Sequence, residues 1–95
     1  MKKHNLKITV IEIQGKCPVY KVGNSFRIEE GYKLITNFPI CLHSLSSIMP
    51  YYVALSNGVP PDDLGLGKGK FAYVQCLDPC KYTGGGTVIY KIGIE

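Results

Sequence analysis

The sequence predicts an α+β domain: a small antiparallel or mixed β-sheet in the order β-β-(β)-α-β-β, with one kinked helical segment packed on it. Three observations carry this prediction. Alternating apolar residues mark Leu6–Ile13 and Thr87–Ile94 as strands. Apolar residues at a 3.6-residue period mark Pro39–Gly58 as the one convincing helix. Turn residues part the remaining strand-like runs. A half-open β-barrel plugged by the helix satisfies the same order, with Gly23 at a barrel corner.

Leu6, Ile8 and Val10 share one face of the first strand, and Lys7, Thr9, Ile11 and Ile13 share the other. Ile11 and Ile13 imply cover on both faces, hence a central strand. Gln14–Pro18 is a turn around Gly15, with Cys17 held extended by Pro18. Val19–Val22 and Ser25–Glu29 read as strands parted at Gly23–Asn24. Gly31 breaks the chain, and Tyr32–Ile35 adds a short edge strand.

Thr36 or Asn37 is the predicted N-cap of the helix, with Pro39 in its first turn. Leu42, Leu45, Ile48/Met49, Tyr52/Val53 and Leu55 form its apolar stripe. Pro50 removes a donor inside the run, which predicts a kink or a break into two short helices. Ser46 and Ser47 stand where their hydroxyls can serve freed backbone groups. Asn57–Gly58 ends the helix. Val59–Lys70, with Pro60-Pro61 and three alternating glycines, reads as a mobile loop. Phe71–Leu77 is a strand with Ala72, Val74 and Cys76 on one face and Phe71, Tyr73 and Gln75 on the other. Asp78–Gly86 is a Gly-rich connection to the closing strand, whose Val88, Tyr90, Ile92 and Ile94 share a face.

The 95 residues make one domain, 1–95. The net charge is +4, and the lysines are scattered, with Arg27 the single arginine. Scatter argues against a dedicated nucleic-acid binder, which clusters its bases and adds arginines. No run is long enough to cross a membrane. Met1–Lys3 looks like the start of a signal peptide, but the stretch after it is short, strand-patterned and broken by Glu12. The protein reads as cytoplasmic, with a second copy or another protein as its open partner classes.

Chemistry-bearing residues centre on Cys17, Cys41, Cys76 and Cys80. All four sit at element ends, where side chains can converge. They are candidate ligands for zinc or an iron–sulfur cluster, although no Cys-x2-Cys knuckle is present. Cys41 stands near the helix start, where free N–H groups and the dipole favour an anion, including a thiolate. It is therefore also a candidate redox nucleophile. The competing reading is that all four are small buried apolar groups. The chain is then a binding module, with the Val59–Lys70 loop and nearby tyrosines as its contact surface. His43 lies about 200° round a helix from Cys41, so the two do not easily share an ion. His4 lies at the terminus, where a ligand role has little support. Gly65–Lys70 fails the phosphate-loop spacing, and neither Asp62-Asp63 nor Glu29-Glu30 has a histidine beside it. Tyr51 and Tyr52 are candidate pocket-lining residues, against the plainer reading of a tyrosine-rich core and rim.

At Cys17-Pro18-Val19-Tyr20-Lys21-Val22-Gly23-Asn24 the chain resembles a family of small uncharacterised prokaryotic proteins common in anaerobes. That family has Cys-Pro then Lys-Val-Gly-Asp and an aromatic, here Phe26. Its mid-chain cysteine, histidine and proline before Ala-Leu match Cys41, His43, Pro50 and Ala54-Leu55. Its late Cys-Pro-Asp-Pro is similar to Cys76-Leu77-Asp78-Pro79. Asn24, Leu42 and Leu77 depart from the pattern, and Cys80 is an addition. The resemblance singles out Cys17, Cys41 and Cys76 and supplies no activity.

Overall fold

The computed structural model describes residues 3–95; Met1 and Lys2, which open the leader-like segment, lie outside the described residues. The elements are β1 (Leu6–Gly15), β2 (Ser25–Glu29), β3 (Lys33–Ile35), α1 (Leu42–Ser56), β4 (Gly67–Lys68), β5 (Phe71–Gln75), the single-turn α2 (Cys80–Thr83) and β6 (Gly86–Ile94). They form an α+β fold with one open sheet in the order β3-β2-β1-β6-β5-β4. Every neighbouring pair is antiparallel. The edge strands β3 and β4 stand at opposite ends, so the barrel alternative is not adopted. Their three and two residues offer too few ladder bonds to close one.

β1 is central because it pairs with β2 and β6, not because both its faces are covered. Its pairing with β6 slips between Val10 and Glu12, leaving Ile11 as a bulge. Before the bulge the even residues Leu6, Ile8 and Val10 point inward; after it Ile13, opposite Val88, does. Ile11 is left exposed. The expected common face of Lys7, Ile11 and Ile13 is thereby corrected.

Val19–Val22 is a turn rather than a strand. Asn24 bonds back to Lys21 through its backbone N–H (3.0 Å), and its side-chain oxygen accepts the Lys21 N–H (2.9 Å). This turn lowers Tyr20 into the core. Glu30 and Gly31 both have positive φ in the three-residue loop, Glu30 to Tyr32, that turns β2 back into β3.

The helix starts three residues later than Pro39, at Leu42, with Cys41 as N-cap. Thr36 is not that cap; its hydroxyl exchanges hydrogen bonds with the backbone of Phe38. The helix runs unbroken through Pro50. Ser46 and Ser47 bond the carbonyls of Leu42 and His43, not the Ser46 carbonyl that proline deprives of its N–H. At the other end Gly58 takes a left-handed φ of 87°. Bonds from Gly58 to Leu55 and from Val59 to Ala54 complete a Schellman stop.

α1 packs on one face of the sheet, burying Ser44, Ile48 and Leu55 against Leu6, Ile8, Val10, Ala72, Val74, Tyr90 and Ile92. The predicted apolar stripe is rotated. Ser44 takes the inward place, and Leu42, about 200° away, is turned out at 75 % exposure. Met49 and Val53 are exposed on the same flank. The Val59–Lys70 segment is tied down rather than loose. Pro61 is buried in a 3-10 turn, Asp62 accepts the Gly69 N–H (3.0 Å), and Leu66 accepts the Tyr73 N–H (2.8 Å). Gly67 has no room for a side chain, because a Cβ there would overlap the Phe71 carbonyl.

Candidate functional site

The start of α1 is held by a closed set of hydrogen bonds. The Cys41 N–H donates to the Tyr20 hydroxyl (2.9 Å), and the Ser44 hydroxyl donates to the Cys41 carbonyl (2.6 Å). Tyr20 and Ser44 are 2.7 Å apart, so with Ser44's proton committed, Tyr20 donates to Ser44. Both side chains are buried. Burial holds the Tyr20 phenol above its ordinary pKa, eased by the Ser44 bond and the Cys41 N–H. Around them Tyr20, Phe26, Phe38 and Tyr90 pack with ring centroids 6.0–6.4 Å apart.

The four predicted cysteines lie around this end of the sheet. Cys17, just past β1, accepts the Tyr20 N–H on its sulfur (3.4 Å). Cys76, buried just past β5, accepts the Asp78 N–H (3.4 Å). Cys80 opens α2 beside Gly15, and Cys41 caps α1 without a hydrogen bond from its side chain. Cys17 and Cys41 lie near the Tyr20 hydroxyl, and Cys76 and Cys41 near that of Tyr90. All four are free thiols. Among the described residues no group of three or more His, Cys, Asp or Glu is placed to hold an ion. What the strand ends build there is an aromatic core with hydroxyls, against which Cys17, Cys41 and Cys76 pack.

Neither histidine adds a ligand. His43 is exposed on α1. His4 is tied at both ends rather than loose: its N–H donates to Ser56 (2.8 Å), and its ring meets the Glu95 carbonyl (3.2 Å). The Asp78–Gly86 connection is ordered by its own side chains, with Thr83 and Thr87 donating to Asp78 and the Cys80 N–H reaching Thr87 (3.3 Å).

A groove of about 470 Å³ runs between α1 and β5. Ser46, Ser47, Pro50 and Tyr51 form its helix wall, and Leu66, Tyr73, Val74, Gln75 and Ile89 the wall opposite. The size is that of small-ligand sites, and no charged residue lines it. Pro50 leaves the Ser46 carbonyl beside the groove without its helical N–H. β4 pairs only with Phe71 and Ala72, so the outer side of β5 has no strand beside Gln75. Tyr51 was visible in the sequence as a pocket residue. Leu66 and Gln75 were not, because only the pairing of β4 with β5 brings them opposite α1. The paired Ser46-Ser47 before an in-helix proline was the available signal.

Comparison with protein-family models, with curated proteins and with solved structures returns no match for this chain.

Proposed function

We propose that this protein is a non-catalytic binding module of the cytoplasm whose cysteines serve the fold. The ligand is a small uncharged molecule with an apolar body and a hydroxyl or amide, taken up between α1 and β5. The groove carries this reading: an apolar trough with Ser46, Ser47, Tyr51 and Gln75 as its polar handles and no Lys, Arg, His, Asp or Glu in its lining. Free thiols support a reducing compartment. The metal reading of Cys17, Cys41, Cys76 and Cys80 has less support, since no ligand group forms among the described residues. Kinship with the small prokaryotic family is compatible with this reading, which gives the shared cysteines a structural role.

The test is an amide-shift screen of uncharged fragments against the 15N-labelled protein. Hits should move Ser47, Tyr51, Leu66 and Gln75 together and be lost in Tyr51→Ala. A variant with all four cysteines replaced by alanine should keep the same hits. Metal in anaerobically purified protein, with hits lost on its removal, would overturn the proposal.

A further inference from the structure

On the face of the sheet opposite α1, strand register decides which side chains are displayed. The row across the sheet reads Ile35, Arg27, Lys7, Gly93, Phe71, Lys68. The next row reads Ser25, Thr9, Lys91, Tyr73. Lysines far apart in the chain thus become neighbours on one surface.

Its two halves differ. On β2 and β3, Arg27 is paired with Glu29 and Glu95, and Lys33 with Glu30. On β1, β6, β5 and β4, Lys7, Lys91 and Lys68 make no ion pair among the described residues; the carboxylates on this side of the face, Glu95 and Glu12, stand in the flanking rows, and Glu95 is taken by Arg27. Phe71 and Tyr73 rise among them, 45 % and 44 % exposed. Two residues apart on a strand, the rings emerge about 6.6 Å from each other. Gly93 keeps the ground beside Phe71 flat: a Cβ there would come within 3.4 Å of the ring. The Lys91 ammonium sits 4.8 Å from the Phe71 ring centroid, a cation occupying a surface that a base can stack on.

We propose that this half-face binds single-stranded nucleic acid. Phe71 and Tyr73 stack two bases, and Lys7, Lys68 and Lys91 meet the phosphates, Lys91 leaving the Phe71 ring as a base arrives. Charge complementarity selects a polyanion, and the paired rings select one with flat faces. A duplex hides those faces, and an acidic peptide has none. Tyr73 also borders the α1 groove, so the two sites meet at β5; Phe71, Lys7, Lys68 and Lys91 do not line that groove and distinguish this site from it.

The experiment is fluorescence anisotropy of the full chain with a labelled 12-residue oligo-dT and oligo-U. Binding should weaken with salt at a log–log slope of about −2, from about 0.7 per phosphate contacted by three lysines. Phe71→Ala and Tyr73→Ala should each weaken it about 5-fold or more. Lys91→Gln should lower both affinity and slope, and Leu42→Ala, on the helix side, should change neither. Circular dichroism of each variant separates lost binding from lost folding; should Phe71→Ala unfold, Phe71→Leu and Tyr73→Leu carry the test. Binding of either oligonucleotide with this dependence on the rings supports the proposal, and a preference between them identifies DNA or RNA. Absence of binding at 100 µM protein (about ten times a weak micromolar Kd), or equal binding of heparin, polyglutamate or duplex without dependence on the rings, overturns it.

Discussion

Two buried tyrosines, edge to face at 6.0 Å, should respond oppositely to loss of a single oxygen. The Tyr20 hydroxyl accepts from the Cys41 N–H and donates to Ser44. Tyr20→Phe removes both bonds and leaves a backbone donor at the helix start unpaired. Two bonds at about 1 kcal/mol each, plus part of the cost of an orphaned buried N–H, give a loss of about 2–4 kcal/mol. A domain of this size has about 5–14 kcal/mol in total, so the fall in melting temperature should be about 10–25 °C. The Tyr90 hydroxyl is buried near Ser44, but no hydrogen bond of normal geometry reaches it among the described residues. Burying an unpartnered hydroxyl costs about 1–3 kcal/mol, so Tyr90→Phe should gain about 0.5–1.5 kcal/mol after the small void is counted. Urea unfolding followed by circular dichroism, with m unchanged, measures both. Shifts of the same sign, or a Tyr90→Phe loss above about 1 kcal/mol, would refute this account of the core.

The same two phenols set an alkaline limit. Burial holds both pKa values above the ordinary tyrosine value, so the native state keeps protons that the unfolded chain gives up. Their contribution should be complete below about pH 10 and decline as pH rises further, and urea midpoints from pH 8 to 11 should show the decline blunted in Tyr90→Phe. Pro50→Ala restores an N–H to the Ser46 carbonyl and should raise stability by up to about 3 kcal/mol in calorimetry, while weakening groove ligands that use that carbonyl. Gly67→Ala should cost about 2 kcal/mol or more by urea unfolding, because its methyl would overlap the Phe71 carbonyl. Leu55→Ala should cost about 2–5 kcal/mol and Leu42→Ala less than about 0.5 kcal/mol in the same assay, although the sequence put both on one stripe.

Element type and inward faces were largely legible from local pattern. Ser25–Glu29 and the Ala72/Val74/Cys76 and Val88/Tyr90/Ile92 faces follow from two-residue alternation, which depends only on nearest neighbours along the chain. Pattern misled where a tertiary contact intervened. The bulge at Ile11 needs β6 as its template, and the rotation of α1 needs Tyr20 to draw Ser44 inward. The cysteines are legible as a group at strand and helix ends, but the aromatic rings that Cys17, Cys41 and Cys76 pack beside come from four separate segments that no local pattern brings together. The lysines make the converse case. Lys7, Lys68 and Lys91 lie far apart in sequence and share a surface only because β1 pairs with β6, β6 with β5 and β5 with β4. Local period decides which way each side chain faces; strand order and register, settled by long-range hydrogen bonding, decide which side chains it faces out beside.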